Sequence, residues 1–500
     1  MKKIQIMAIL VLASLSAFSQ ETSGYFYGQD LFKFSQYGNL GSARVQGMGG
    51  AFVALGADAS SAIINPAGLG FYNRNEFSLS PVINSLSTSS DYLRQNTPFT
   101  ASNIGIGQAA LVFSKNGVGT RRKKKTFGIS YNTLVSFRNE FEYNGLNNVS
   151  SIQDHFAEEA NFRGVGTEVL DREFNANTGV ADTPEALYYQ AFMIEPTNDG
   201  YVVFEPSFPV DQQGRVSENG NLGQISLSFA NNFDDRTYVG LTVGIQNLNY
   251  NSVDYIDEVF PNAEYLSGLR STNELSSQGT GINLALGGIF RATESLNLGV
   301  SLTSPTIMRT RETFISTIAI SPNGNAVQTN FPTVRTLPND FSYRFTSPFR
   351  ANAGAAYFLP NKLGVLSAEV DYVAYGNMGI VDPENSVWTN EQKSAINRVY
   401  KNTVNVKVGG EARLGIGRLR AGFNRMGDPL VVADGVKRNL NTVTFGGGVR
   451  VNRFFADVSV NYQSTQSSFT PYVLVNETDY SSVLIDSKRT IVGLSVGTFF

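Results

Sequence analysis

The 500-residue sequence has no cysteine, a single histidine (His155) and a single tryptophan (Trp388). Without cysteine there is no disulfide scaffold, no thiolate metal site, no cysteine nucleophile and no lipid-modified amino-terminal cysteine. One imidazole cannot build a three-histidine zinc site, and it leaves His155 as the sole imidazole base available to a serine nucleophile. Charge of either sign is sparse: 39 basic against 42 acidic residues give a net charge of -3. A nucleic-acid binder carries a basic excess on the scale of its phosphate contacts, so no nucleic-acid partner is expected. Beyond the first 17 residues no apolar run approaches the roughly 20 residues of a helical membrane span. What is abundant is glycine (48), phenylalanine (35) and tyrosine (22), in a chain whose mean hydropathy is only -0.12.

The first residues read as a secretory signal peptide, residues 1–19. Lys2 and Lys3 precede an apolar stretch from Ile4 to Ala17, and small residues place the cleavage between Ser19 and Gln20. If an exported chain with no helical span enters a membrane, it does so as a β-barrel.

From Glu76 onward apolar and small or polar residues alternate. Val492, Leu494 and Val496 fall on one face of the last segment, with Gly493, Ser495 and Gly497 on the other. Val404, Val406 and Val408 alternate with Asn405, Lys407 and Gly409. A strand between lipid and a crowded lumen has this pattern. Such runs predict an all-β transmembrane antiparallel barrel of about 14 strands over residues 75–500. The strands are placed near 75–90, 102–114, 124–142, 222–232, 235–257, 268–291, 295–319, 336–358, 363–374, 401–413, 416–426, 438–451, 454–465 and 486–500. Tight connections at Asp234-Asp235, 292–294, 360–362, Gly415 and Asn452-Arg453 alternate with long ones, assigning the tight turns to the periplasmic rim. The closing aromatic Phe500 fits the signal by which outer-membrane barrels are recognised for insertion. The longest connection, 143–222, falls outside. Localisation in the outer membrane of a Gram-negative cell follows, with its lipids as partners.

Residues 20–74 are glycine-rich and helical in flavour. Asp58 is placed to cap a helix over 59–64, which Pro66 ends. The segments Gly41-Ser42-Ala43-Arg44-Val45-Gln46-Gly47-Met48-Gly49-Gly50-Ala51-Phe52 and Asp58-Ala59-Ser60-Ser61-Ala62-Ile63-Ile64-Asn65-Pro66-Ala67-Gly68-Leu69 resemble the hatch of the FadL/TodX family of outer-membrane channels for hydrophobic compounds. The resemblance implies a fourteen-stranded barrel plugged by an amino-terminal α-helical hatch in the lumen, with Asn65, Pro66 and Ala67 as its gate motif. It also implies external helices that capture ligand and a side exit at a break in an early strand. Here Phe127 to Tyr143 reads as continuous, with only Gly128 as a weak point, and departs from that pattern.

In the external loop two helical patterns carry the candidate ligand contacts Phe156, Leu187, Tyr188 and Phe192; the same apolar faces could instead pack on each other as a lid. By strand parity Arg420, Arg450, Lys407, Glu411, Glu369 and Asp371 face inward, to pair with one another and with the hatch. The run from Arg121 to Lys125 sits in a periplasmic turn, either as a solvated charged turn or as a site for anionic lipid headgroups. His155 on a helix face is ordinary surface rather than a haem ligand. No cofactor and no enzyme activity are expected. The chain reads as a passive, hatch-gated channel for long-chain fatty acids or related hydrophobic compounds; the alternative is a structural accessory subunit of an outer-membrane insertion or secretion machine.

Overall fold

The computed structural model describes residues 27–500 except 39–40, 118–121, 325–326, 328 and 432–433; the signal peptide lies outside the described residues. A closed barrel of 14 antiparallel strands encloses an amino-terminal helical segment. The strands are β1 (Glu76–Tyr92), β2 (Gln95–Asn116), β3 (Arg122–Ser136 continued by Asn139–Asn147), β4 (Val210–Phe233), β5 (Thr237–Val259), β6 (Leu266–Arg291) and β7 (Leu296–Thr303 continued by Ile307–Pro322). There follow β8 (Asn339–Thr346 continued by Arg350–Phe358), β9 (Gly364–Val373 with Gly379–Val381), β10 (Thr403–Leu414), β11 (Gly417–Met426), β12 (Leu440–Val451), β13 (Phe454–Phe469) and β14 (Val483–Phe499). Pairing of β1 with β14, from Glu76 with Phe499 to Asp91 with Leu484, closes the cylinder, so that neither terminal strand is left as a sheet edge.

Alternation sets which face meets lipid. On β5 the outward Val239, Leu241 and Ile245 are exposed, and the outward residues above them, Asn247, Asn249 and Asn251, are polar. The apolar belt therefore covers only the lower part of a 23-residue strand. Crossing takes about ten residues, so the wall continues well beyond the membrane on the outside. Apolar outward residues at this level on the other strands, such as Val406 on β10, Val460 on β13 and Leu494 on β14, extend the belt around the barrel. This belt and the closed topology place the protein in the Gram-negative outer membrane.

The tight turns fall where expected, at Asp234-Asp235, 292–295, Pro360–Lys362, Gly415 and Asn452-Arg453. Two external connections are shorter than expected. Leu93 and Arg94, both at positive φ (46° and 69°), form a two-residue hairpin between β1 and β2, and residues 260–265 join β5 to β6. Because β3 ends at Asn147 and β4 already begins at Val210, the long external loop is 148–209 rather than 143–222. Above the membrane the outward face meets water, so these strand extensions carry polar residues on both faces and lose the alternation by which strands are recognised.

A further difference matters more. β3 is not continuous: it breaks between Ser136 and Asn139, and its register against β4 slips between Thr133 and Val135. Its ladder with β2 stops at Gln108 and Asn132, although β2 runs on to Gln95.

Candidate functional site

The lumen is filled from below by the segment 41–74. Helix α2 (Ala43–Gly47) is capped by Ser42; α3 (Ser61–Ile64) follows a turn in which Asp58 Oδ1 accepts from Ser60 N at 3.0 Å. Both Asp58 oxygens also accept from Ser42 Oγ, at 3.0 and 2.9 Å, tying the two turns together. Asn65 then caps the 3₁₀ turn Pro66–Phe71: its Oδ1 accepts from Ala67 N at 3.1 Å while its Nδ2 donates to Val53 O at 2.6 Å and to Gly288 O on β6 at 3.2 Å. The motif thus folds the hatch and fastens it to the wall. The wall receives it because it lacks side chains there. A Cβ at Gly287 would lie 1.9 Å from Asn65 Oδ1, and one at Gly240 would lie 2.3 Å from Pro66 C. Met48, Val53, Ala67 and Leu69 are fully buried, so the periplasmic half of the lumen is tightly packed.

Charge pairing holds the rest. Arg420 Nε donates to Glu411 at 2.8 Å and its Nη1 to Asp457 at 2.6 Å, while Arg44 of α2 reaches Glu411 at 3.3 Å. Lys407 bonds Glu369 at 3.0 Å and Asp371 at 2.5 Å. Glu369 Oε2 accepts from the hatch amides of Phe52 and Val53 at 2.9 and 2.8 Å. The inward charges expected from parity do pair with one another and with the hatch; Arg450 instead lies over the Phe455 ring at 5.4 Å.

Above the packed hatch, α1 (Gly28–Ser35) lies in the upper lumen. Leu31 and Phe34 are buried, and Phe34 meets Phe137 edge-on with ring centroids 5.4 Å apart. Lys33 is held by Glu218 and by Tyr250 Oη at 2.7 Å. Between α1 and the wall is a cavity of about 1030 Å³. Phe32 and Lys33 line it from the hatch, Leu134, Val135 and Phe137 from β3, Val399, Tyr400 and Leu430 from the external connections, and Arg489 from β14. It is also lined by residues 103–107 of β2, including Ile104 and Ile106, which face outward and are 77% and 51% exposed. A lumen cavity bordered by lipid-facing residues means that the wall is open at this height.

The break in β3 makes the opening. Beyond Asn132, β3 turns inward: Thr88 Oγ1 of β1 donates to Glu140 O at 3.1 Å, and Tyr143 meets Tyr92 with ring centroids 5.1 Å apart. The strand edges at 103–107 and 133–136 are joined by Thr133 Oγ1 donating to Ile106 O at 2.7 Å, without a backbone ladder. Peptide groups freed at the break find partners elsewhere: Phe137 N donates to Gly220 O at 3.0 Å, and Arg489 Nη2 donates to Arg138 O at 2.6 Å. The expectation of a continuous strand through Tyr143 is overturned. The sequence gives little warning, since neither Phe137 nor Arg138 is a strand breaker.

The external loop contains α4 (Ile152–Arg163), α5 (Thr167–Arg172) and α6 (Pro184–Gln190). Phe156, Leu187 and Tyr188 are buried in one core; the Phe156 and Tyr188 rings stack at 4.1 Å, while Phe192 packs edge-on against Phe204 at 5.8 Å. That core also includes Ile256, Leu269 and Ile318 from the tops of β5, β6 and β7, and none of the four candidate contacts lines the lumen cavity. Hydrogen bonding to the Arg163 guanidinium holds the Glu173 carboxyl below the usual carboxylate range, and Arg163 also reaches Glu185 at 3.1 Å, pinning α4 to α6. His155 Nδ1 lies 2.8 Å from Val473 O on the β13–β14 connection, fastening the lid there.

No protein-family model and no curated protein sequence matches the chain. Among solved structures it is similar to a Pseudomonas aeruginosa FadL homologue (TM-score 0.53, 12% identity, 93% of this chain and 99% of that one). It is similar also to the Pseudomonas putida toluene transporter TodX (TM-score 0.51, 13% identity, 94% of this chain and 100% of that one). At such identities the likeness is one of architecture, and it extends over nearly the whole chain: the protein has the fold of the FadL/TodX-type outer-membrane channels.

Proposed function

We propose that the protein carries hydrophobic compounds, long-chain fatty acids or related molecules, across the outer membrane by passive, hatch-gated diffusion with a lateral exit. The observation that carries this reading is the continuity of the 1030 Å³ cavity with the gap between β2 and β3. The packed hatch closes the way to the periplasm, whereas the gap leads into the apolar belt. Burying each methylene of a chain is worth about 0.8 kcal/mol, so rings and aliphatic side chains suffice for binding and no reaction is required. Arg489 lines the cavity, makes no ion pair among the described residues, and suits a fatty-acid carboxylate. Phe34 of α1 packs on Phe137 at the break, so ligand that displaces α1 loosens the wall at the gap. Phe156, Leu187, Tyr188 and Phe192 serve this pathway as the core of a lid; Asn65, Pro66 and Ala67 serve it as the seat that keeps the lower hatch closed. The likeness to a toluene transporter and a FadL homologue supports a hydrophobic cargo.

A second reading, an accessory subunit of an insertion or secretion machine, draws on exposed apolar residues of the external face, Val149 (60%), Phe162 (66%) and Val475 (81%). Gentle extraction from native membranes with mass spectrometry of bound lipids and proteins separates the two. A lone protein carrying acyl chains, whose deletion slows fatty-acid uptake, supports transport. Stoichiometric large partners with no bound acyl chain would overturn it.

A further inference from the structure

Six of the chain's 39 basic residues lie within residues 115–125, a stretch with no acid. The register of β2 against β3 shows how Lys115 and Lys125 are presented. Phe113 pairs with Phe127, and one pleat repeat nearer the periplasm Lys115 pairs with Lys125 on the same outward face. Like charges directly opposed in a ladder destabilise it unless something neutralises them. Lys115, Lys123 and Lys125 are exposed and form no ion pair with any described residue.

The setting above the lysines is equally specific. Phe113 lies 6.5 Å from the Phe500 ring and Phe127 lies 4.9 Å from Phe229, so outward phenylalanines form a row along this part of the rim. Such a row marks the boundary between acyl chains and headgroups. Two residues along a strand is about 6.8 Å, which puts the lysine ammonium groups at headgroup depth. The external loop offers the opposite charge: residues 148–209 hold eleven acids against two arginines.

We propose that the outward face of the β2–β3 hairpin is a binding site for an anionic phospholipid of the periplasmic leaflet, with Lys115 and Lys125 sharing the phosphate and the Phe113–Phe127 pair contacting the acyl chains. The occupant is a membrane lipid because the cations and the apolar row act on one molecule with a charged head and greasy tails. This site faces away from the lumen and is independent of the transport reading.

The test uses the full-length protein purified in detergent, mixed with phosphatidylglycerol or phosphatidylcholine and examined by native mass spectrometry. A lysine at an anionic surface is worth roughly fivefold in binding and the pair roughly thirtyfold. Lys115→Gln with Lys125→Gln should weaken phosphatidylglycerol retention by about that factor. Lys115→Arg with Lys125→Arg should keep it, and Lys362→Gln with Arg453→Gln, on other turns of the same rim, should leave it unchanged. Heat-modifiable gel migration confirms that each variant is a folded barrel. Equal retention of both lipids by the natural sequence overturns the proposal, as does equal loss in the rim control. Displacement of the lipid by millimolar inorganic phosphate would overturn the assignment to a lipid.

Discussion

Replacing Asn65 by alanine tests whether the Asn-Pro-Ala turn keeps the hatch closed. The side chain makes three hydrogen bonds: it accepts from Ala67 N and donates to Val53 O and Gly288 O. Loss of a cap costs about 1 kcal/mol, and each of the two further bonds contributes about as much. The total of about 3 kcal/mol corresponds to a rise of roughly 150-fold in the population with the turn released. Hydrogen exchange is the assay. Amides of 41–71 should exchange faster by about two orders of magnitude, while those of β10 to β13 keep their protection. Asn65→Asp, which retains the cap acceptor but replaces both donors with a charge facing two carbonyls, should be at least as damaging. Gly287→Ala attacks the same seat from the wall, because its Cβ would collide with Asn65 Oδ1. An acceleration of less than about fivefold in Asn65→Ala would refute the reasoning, because it is less than a single cap is worth. Equal acceleration in hatch and barrel strands would refute it too, since the turn would then be part of global stability and no separate latch.

Further outcomes follow from the same geometry. A disulfide between Ile106→Cys and Thr133→Cys, clean in a chain with no other cysteine, should staple the gap and stop fatty-acid uptake until reductant is added; unchanged uptake with complete cross-linking would sink the lateral exit. Arg489→Met should raise the half-saturating concentration for a long-chain carboxylate by roughly 10- to 100-fold, the value of a hydrogen bond to a charged group, and leave a neutral aromatic hydrocarbon unaffected. Glu369→Ala removes a buried partner of Lys407 and the acceptor of the Phe52 and Val53 amides, and should destabilise the seated hatch by about 3 to 5 kcal/mol, read as hatch-specific hydrogen exchange. In the lid, the carboxyl of Glu173 titrates below its ordinary value when folded. Its contribution is therefore complete above the ordinary glutamate range and is lost as pH falls through the lowered folded value. Protease resistance of 148–209 should thus hold at pH 6 and weaken on strong acidification, and Glu173→Gln should abolish that dependence.

The sequence reveals the barrel most clearly where lipid enforces alternation, and least clearly where it does not. Val404 to Val408 and Ile491 to Val496 show their two faces because one of them must dissolve in acyl chains. Val210 to Asn219 is as continuous a strand in the structure, yet its sequence carries little alternation, because water meets its outer face and other polar groups meet its inner one. Inward parity was similarly informative: it places Glu369, Lys407, Glu411 and Arg420 in the lumen, where they pair. What parity cannot show is which strands stay paired. At the β3 break the residues Val135, Ser136, Phe137 and Arg138 are ordinary strand residues; the strand leaves β2 because of partners far away in sequence. Gly220 O takes the Phe137 amide, Arg489 takes the Arg138 carbonyl, and Phe34 and Tyr250 enclose the Phe137 ring.

These long-range contacts also connect the opening to the hatch. Phe137 stands between the wall and α1, and Lys33, one residue before Phe34, is bonded to Glu218 on the strand that receives the displaced half of β3. Withdrawal of α1 would break the Lys33–Glu218 pair and uncover Phe137 together, so the upper hatch and the edge of the gap should move as one unit. The lower hatch is held by a different set of bonds, at Asn65, Glu369 and Glu411, and has no need to move for a compound that leaves sideways. Asn65→Ala should therefore loosen residues 41–71 with little effect on lateral release. Lys33→Met should alter lateral release without loosening them. Finding the two effects inseparable would mean that the hatch moves as a single body and that the exit lies below it.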